Sequence, residues 1–237
     1  MSYSFADLTL SYLSITRLDS VRFSDRVFMS SLENRPLTAR QMAGQFEGLV
    51  LGTTSVAVTA YQFFTGSIPS AAGISYLVNS PANTSDLNDG YYLPFNVENR
   101  YINFAANLGL VGEGKAGFAA TYGAMSFAQA VAAIYDKVIG RAQAAALGYD
   151  VDAAIADITS RKAYFDAVAN ERLGGFEHEL AVKAGLAGYV MAEAMKAHVG
   201  LYARAAENFY IDLSDGSADF GVNLVGVYGP GSAYDGL

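Results

Sequence analysis

The sequence predicts an all-α fold, a multi-helix globular domain of about eight to ten helices, and three observations support this prediction. Apolar residues recur through most of the chain at the three- and four-residue spacing of an amphipathic helix. Residues that begin or end helices stand at the borders of these segments. No stretch shows the sustained alternation of a strand, although the Val and Thr residues at positions 53–59 leave some ambiguity.

The first half of the chain contains four segments with helical spacing: residues 2–15, 38–65, 70–79 and 94–109. The second of these reads as two helices that meet near Gly52. Pro81 ends the third, and Pro94 suits the first turn of the fourth. Loops are predicted near residues 17–36 and 80–93.

The second half contains three longer segments: residues 126–147, 150–174 and 176–209. Ser126 is a plausible N-cap of the first segment and Gly148 its stop. The last segment is rich in Ala and Met. Its glycines Gly185, Gly188 and Gly200 permit close helix contacts or a break.

The domain organisation follows from a change of composition near residue 214. Residues 1–213 form the predicted helical domain. Residues 214–237 are rich in Gly, Ser and Asp and are predicted to be a linker toward a downstream region. No convincing internal repeat is present.

Composition and charge exclude several classes of function. The formal net charge is -8 and the sequence pI is about 4.7, which argues against nucleic acid as a partner. The absence of cysteine excludes disulfides and thiolate chemistry. The N-terminus lacks the cationic lead of a secretory signal peptide. Polar residues interrupt the uncharged stretches at 48–85 and 116–135, so we expect no membrane span.

Catalytic motifs are incomplete, and the sequence predicts no enzyme. Residues 109–115 fit the phosphate-loop pattern GxxxxGK, but Ala116 replaces the hydroxyl that must reach magnesium. His178-Glu179 begins a zinc motif whose second histidine position holds Val182. A polysaccharide hydrolase stays open as an alternative, because the separation of paired carboxylates is a tertiary distance.

Calcium is the metal that the sequence leaves open. Asp86 and Asp89 concentrate hard oxygen ligands near a glycine, although without the EF-hand spacing. Asp212, Asp215 and Asp219 form a second, looser acidic group. Helix capping and turn formation explain both groups better than calcium binding does.

The aromatic residues suggest a surface for sugars. The chain has 16 Tyr, 14 Phe and no Trp. Tyr91 and Tyr92, together with the amides and the cation in Glu98–Asn103, offer flat apolar faces surrounded by hydrogen-bonding groups. A sugar ring has an apolar face and a rim of hydroxyls. The alternative is that these tyrosines pack helices with their hydroxyls at the surface.

Eight short motifs resemble the N-terminal anchoring domain of the caulobacter RsaA-type S-layer proteins. They lie in the same order with similar spacing, from about residue 50 to the end. The likeness extends more weakly from Met1, while residues 16–48 match poorly. The motifs are YQFFTG at 61–66, PSAAG at 69–73, DLND at 86–89, YY at 91–92, ENRYINF at 98–104, YDKVIG at 135–140, LAVKA at 180–184 and DLSDG at 212–216.

The resemblance implies a noncatalytic, helical domain that binds the O-antigen polysaccharide of lipopolysaccharide at the outer cell surface. It also implies type I secretion and a homo-oligomer in a surface lattice. The chain contains none of the GGxGxDxUx repeats of the lattice-forming region. The predicted sugar contacts are Tyr91, Tyr92, Asn99, Arg100 and Asn103, with Tyr135 and Lys137 as outer candidates, and the predicted calcium ligands are Asp86 and Asp89. A self-association module, or the anchor of an S-layer-associated protease, is the alternative.

Overall fold

The computed structural model describes residues 2–216 and 224–227, and within them the fold is all-α as predicted. This part of the chain forms thirteen α-helices and a four-residue helical turn, somewhat more than the eight to ten expected. Its one element of β pairing is an isolated antiparallel bridge between Ser2 and Pro36. The chain divides into two compact units that alternate along the sequence.

Unit 1 takes its residues from Met1–Val58, Ile68–Pro94 and Arg204–Leu237. Its helices are α1 (Phe5–Thr16), α2 (Phe23–Leu32), α3 (Ala39–Val50), the start of α4 (Thr54–Thr65), α5 (Ala71–Val78), most of α13 (Leu201–Leu213) and the turn α14 (Leu224–Val227). A 3₁₀ turn at Gly90–Tyr92 lies near the end of the second segment of this unit, Ile68–Pro94.

The core of unit 1 joins its first and last segments. Tyr12 of α1 is buried, and its ring meets that of Phe46 edge-on at 5.7 Å. Ser11 donates a hydrogen bond to the carbonyl oxygen of Ser214 (2.8 Å). Arg40 donates to the side chain of Asn208 (2.6 Å). Unit 1 is therefore completed only by residues from the far end of the chain.

Unit 2 takes its residues from Thr59–Ser67 and Phe95–Ala203. Its complete helices are α6 (Val97–Ala106), α7 (Lys115–Tyr122), α8 (Phe127–Val138), α9 (Arg141–Ala146), α10 (Val151–Ser160), α11 (Lys162–Arg172) and α12 (His178–Ala197). A single π-helical turn, Asn107–Val111, extends α6.

Helix α12 forms the centre of unit 2, where α6, α8 and α11 pack against it. A Cβ atom added at Gly188 would lie 2.7 Å from the Cα atom of Ile102, so the backbones of α12 and α6 are in direct contact there. The close approach predicted for this glycine is confirmed.

The structure corrects three boundaries predicted from the sequence, and it shows at Gly200 the break that this glycine was expected to permit. The loop expected at residues 17–36 contains α2, which has no side-chain N-cap. Each of the three long segments is two helices. Gly140 (φ 81°) lies between α8 and α9 in the first segment, and Arg161 lies between α10 and α11 in the second. His198 (φ 54°) and Gly200 (φ 99°) separate α12 from α13.

The region predicted to be a linker falls largely outside the described residues, and Asp219 is among those not described. In the described part, Leu224 is buried. No single helix in the described ranges is long and apolar enough to cross a membrane. Helices α7 and α8 reach that length and composition only as a pair bent by 120°.

Candidate functional site

Helix α6 carries the predicted segment Glu98–Asn103 and divides it between the core and the surface. Tyr101 and Ile102 are buried, and the hydroxyl of Tyr101 accepts a hydrogen bond from Thr59 (3.2 Å). Asn99 and Asn103, four residues apart, lie on one half-exposed face because a helix turns once in 3.6 residues. The predicted amides therefore face solvent while their neighbours hold the helix in place.

Amide side chains continue along this face of α6 and the π-helical turn. Asn96 caps the helix by accepting from the backbone N–H of Asn99 (2.8 Å). Asn107 donates to the side-chain oxygen of Asn103 (3.3 Å). The spacing of these asparagines gives an amide row along the exposed side of the helix.

Helix α11 lies beside the amide row and adds an aromatic ring and a cation. The hydroxyl of Tyr164 donates to the carboxylate of Glu98, and Arg172 donates to the side-chain oxygen of Asn99. Burial and the bond to Glu98 raise the pKa of Tyr164 to about 12. The phenol is therefore neutral at physiological pH.

A groove of about 290 Å³ lies on unit 2 between α8, α10 and α12. Tyr135, Tyr149 and Tyr189 line it, and their rings come from α8, from the loop between α9 and α10, and from α12. Its apolar walls include Ile158 and Val199. Burial is the main cause that raises the pKa of Tyr135 and of Tyr189, so both are neutral hydroxyls.

Hydrogen bonds connect the charged groups at the edge of the groove to each other and to Tyr189. Arg161 donates to the hydroxyl of Tyr189 (2.9 Å) and to the carboxylate of Asp157 (2.7 Å). Its guanidinium carbon lies 6.0 Å from the centre of the Tyr189 ring. Glu193 follows Tyr189 by one helical turn and also lines the groove. The groove is thus polar at its edge and aromatic on its walls.

Contacts join the groove to the amide row. The ring centres of Tyr189 and Tyr164 lie 6.2 Å apart, and Tyr164 reaches α6 through Glu98. Tyr135 lines the same groove as Tyr189 with a largely buried side chain (7% exposed), and it thus lies on the same unit as Asn99 and Asn103. We call the side chains of this surface the tyrosine–amide track: Tyr135, Tyr149, Tyr189, Tyr164, Asn99, Asn103 and Asn107.

The other predicted sugar contacts have different surroundings. Tyr91 is exposed and belongs to unit 1, where its ring meets that of Tyr92 at 4.9 Å. Tyr92 is only 1% exposed and presents no ring face to solvent. Arg100 donates to the backbone oxygen of Phe95 (3.1 Å). The ammonium of Lys137 donates to the backbone oxygen of Phe63 (2.8 Å), and its partial burial lowers its pKa.

The predicted calcium ligands accept hydrogen bonds from the backbone of their own loop. Asp86 is nearly buried and accepts from Ser80 (2.7 Å) and Asn88 (2.8 Å). Asp89 accepts from the N–H of Tyr91 (2.8 Å) and so caps the 3₁₀ turn. These bonds are the turn-forming role that the sequence left open beside calcium binding.

The incomplete zinc motif lies in a small charged cluster on unit 2. His178, Glu179 and Asp166 place ligand atoms within 4.8 Å of one another. The ammonium of Lys162 lies between the carboxylates, 2.6 Å from Asp166 and 3.8 Å from Glu179. The side chain of Lys162 thus already pairs with both carboxylates of the cluster.

The glycines of the phosphate-loop-like segment pack against an aromatic ring. Cβ atoms added at Gly109 and Gly114 would lie 2.4 Å and 2.5 Å from side-chain atoms of Phe64. The segment follows a helix and forms the π-helical turn. Packing therefore explains these glycines without a nucleotide.

Comparison with known proteins gives one decisive match. A family model described as the RsaA N-terminal domain matches residues 53–235. The chain belongs to this family. Every side chain of the tyrosine–amide track falls within the matched part of this RsaA N-terminal domain, whereas α1, α2 and α3 precede it. The RsaA N-terminal domain is an S-layer-related domain of the cell surface. No curated protein matches the chain.

Four track residues were not predicted from the sequence: Asn107, which follows the predicted segment, and the tyrosines Tyr149, Tyr164 and Tyr189. The three tyrosines lie in three different helices or loops, and none of them has a cluster of amide residues beside it in the sequence, as the residues of α6 do. A weak signal was available for Tyr189, because a tyrosine in the Ala-rich α12 interrupts a run of small residues. Their proximity arises from helix packing.

Proposed function

We propose that this RsaA N-terminal domain is a noncatalytic anchor that binds the O-antigen polysaccharide of lipopolysaccharide along the tyrosine–amide track. The observation that carries the proposal is the continuity of the track. Tyrosine rings and amides from five different parts of the chain meet on unit 2, within the residues that define the family.

The tyrosines supply the apolar half of the proposed recognition. Flat rings such as that of Tyr149, which is 50% exposed, can cover the apolar face of a sugar. The raised pKa values of Tyr135, Tyr164 and Tyr189 keep their hydroxyls protonated. The Tyr164 hydroxyl donates to Glu98 and can accept from a sugar hydroxyl, whereas the Tyr189 hydroxyl accepts from Arg161 and can donate to one.

The amides and arginines supply the polar half. Asn99 and Asn103 offer an acceptor oxygen and two N–H donors each, directly or through water. Arg161 and Arg172 are already oriented by bonds to Tyr189 and Asn99, so less rotamer freedom is lost when a ligand binds.

A repeating polymer suits such a surface because many weak contacts act together. Once one repeat is bound, the next is held at high effective concentration near the following part of the track. Copies of the domain in a surface lattice would multiply this effect. We propose such a homo-oligomeric lattice, export by type I secretion and calcium at Asp86 and Asp89 as further parts of the same reading.

Of the predicted contacts, Asn99, Asn103 and Tyr135 belong to the track. Arg100, Tyr91 and Lys137 remain proposed outer contacts. For Tyr92 we propose a supporting role, because its buried ring packs edge-on against Tyr91.

The direct test is calorimetry with smooth lipopolysaccharide and with lipopolysaccharide that lacks O-antigen. We expect heat of binding with the smooth form alone. Equal binding to both forms, or to neither, would contradict the proposal. Incubation should leave the O-antigen ladder on a gel unchanged, whereas shortened chains would show a hydrolase.

Substitution of the track tests where the polymer binds. Tyr149→Ala and Tyr164→Ala should each weaken O-antigen binding about 2- to 10-fold, if a sugar stack contributes the roughly 0.5–1.5 kcal/mol of an aromatic pair. Tyr76→Ala is the matched control, because Tyr76 is as exposed as Tyr149 but lies in unit 1. Loss of affinity in the control and not in the track variants would place the site elsewhere.

The family match also favours a second function, self-association in the S-layer. In that case light scattering would show assembly without any affinity for the polysaccharide. In either role the domain could also be the anchoring part of a different surface protein, such as an S-layer-associated protease.

A further inference from the structure

Helix α2 presents an apolar stripe to solvent. Phe23 is 86% exposed and Val27 is 72% exposed, and they lie one helical turn apart. The opposite side of the helix buries Met29 and Leu32 in unit 1. Helix α2 therefore has apolar residues on two sides, of which one is buried in unit 1 and the other is exposed.

Two cations flank this stripe. Arg22 precedes Phe23, is exposed and donates to the side-chain oxygen of Asn88 (3.1 Å). Arg26 lies beside Phe23 because residues three apart are neighbours on a helix surface. We call Phe23, Val27, Arg22 and Arg26 the α2 knob. It combines a large exposed ring with positive charge.

A cleft of about 430 Å³ lies elsewhere on unit 1, between α1, α3 and the end of α13. Leu10, Ala39, Met42 and Ile211 supply its apolar lining, and the exposed carboxylates of Asp7 and Asp215 line it as well. We call these six residues the α1 cleft. It combines an apolar floor with negative charge.

The two surfaces are complementary in size and in charge. An apolar cavity of about 150 Å³ holds a benzene molecule, so the α1 cleft has room for the ring of Phe23. Hydrogen bonds from Ser4 lower the pKa of Asp7, which keeps its carboxylate ionised to receive a cation. Complementary potentials of this kind orient two surfaces and exclude wrong partners.

We propose that the α2 knob of one copy of this chain docks into the α1 cleft of the next. Phe23 would enter the cleft against Leu10 and Met42, while Arg26 or Arg22 would pair with Asp215 or Asp7. The contact joins two different surfaces, so it is heterologous and extends to a ring or an open array, unlike a two-fold dimer.

The contact rests on the homo-oligomeric lattice proposed above, for which it names the surfaces, but it is independent of the proposed glycan binding. It uses unit 1 alone, and α2 precedes the residues that the family model matches. Assembly is therefore measured without polysaccharide. A chain that does not assemble would leave the O-antigen proposal unaffected, and a chain that does not bind O-antigen would leave the assembly proposal unaffected.

The experiment is sedimentation velocity of the full chain across its soluble concentration range. We expect the wild type to form growing assemblies, and salt to weaken them because the flanking charges are exposed. Phe23→Ser removes the knob and Leu10→Glu blocks the cleft, so each variant alone should remain a monomer. Leu147→Ser, at an exposed apolar residue of unit 2, is the control and should assemble like the wild type.

Mixing the two blocked variants distinguishes this contact from any other. The Phe23→Ser chain keeps an intact cleft and the Leu10→Glu chain an intact knob, so a mixture should form a 1:1 dimer that does not grow. Circular dichroism checks that both variants fold. A wild type that stays monomeric, a mixture that stays monomeric, or a Phe23→Ser chain that still assembles would each overturn the proposal.

Discussion

Lys183 shows how one residue can serve two helices. It lies on α12, is 2% exposed, and donates a hydrogen bond to the carbonyl oxygen of Gly123 (2.9 Å) at the end of α7. The last carbonyls of a helix have no partner within the helix. Lys183 supplies that partner from the neighbouring helix, and its charge favours the negative end of the α7 dipole.

Replacement of Lys183 should therefore destabilise unit 2. Lys183→Met removes the hydrogen bond from a charged donor to the carbonyl of Gly123, which costs about 1.5–3 kcal/mol of unfolding free energy. Urea denaturation measures this difference. Lys196→Met is the matched control, since Lys196 is an exposed residue of the same helix paired with Glu193, and such surface pairs contribute less than about 1 kcal/mol. Equal losses in the two variants would contradict this role.

At the same scale, three of the seven track residues were predicted from the sequence: Asn99, Asn103 and Tyr135. Asn99 and Asn103 could be predicted because residues four apart on one helix share a face, which is a local rule. Tyr149, Tyr164 and Tyr189 could not, because the 6.2 Å approach of Tyr164 to Tyr189 depends on how α11 packs on α12. Burial could not be predicted either, so Tyr91 and Tyr92 looked equivalent although only the first is exposed.

Among the elements, the pair α6 and α12 determines how closely unit 2 is packed. Gly188 stands where the backbone of α6 crosses α12, with the N atom of Ile102 and the backbone oxygen of Tyr101 each 2.8 Å from where its Cβ would be. Neighbouring Gly185 has a different environment, in which a Cβ would meet Val168 at an ordinary 3.5 Å.

These two glycines predict effects of opposite sign. Gly188→Ala must push α6 away from α12 and should lower the unfolding free energy by about 1–3 kcal/mol, the usual cost of overpacking. Gly185→Ala meets no obstacle and should raise it by up to about 1 kcal/mol through helix propensity. Thermal and urea unfolding of the two single variants decide this. A stable Gly188→Ala protein would show that the helices are free to separate.

The success of element prediction followed the strength of local signals. Ser126 was predicted as an N-cap, and it forms a reciprocal capping box with Gln129. Helix α2 was missed because its N-cap, Arg22, makes no side-chain capping bond and because much of its apolar side faces solvent. The break at Gly140 was missed because apolar spacing continues across it, and only the left-handed backbone reveals the turn.

For the whole molecule, the tyrosines predict a loss of stability at alkaline pH. Burial raises the pKa of Tyr122 to about 12, and the bond to Glu113 followed by burial does the same for Tyr61. Burial raises the pKa of Tyr202 as well. In the unfolded chain these groups lose their protons near pH 10. Above pH 10 the unfolded state therefore binds fewer protons than the folded state. The contribution of these tyrosines to the unfolding free energy is complete below pH 10 and is lost as the pH rises toward their folded-state pKa values.

Urea midpoints should therefore decrease between about pH 10 and pH 12, the interval between the unfolded and folded pKa values of Tyr122. Tyr122→Phe removes one of the responsible protons, so its midpoint should fall less steeply over the same interval. A variant as steep as the wild type would show that Tyr122 does not contribute.

The hydrogen bond between Ser11 and Ser214 joins residues 203 positions apart, and it has a consequence for the order of folding. Contacts of long sequence separation form late, because the chain between them must first be closed into a loop. Unit 2 draws its residues from a narrower part of the sequence, Thr59–Ala203, and can nucleate earlier. On a ribosome, α1 would thus wait for the emergence of α13, and its apolar side would need protection until then.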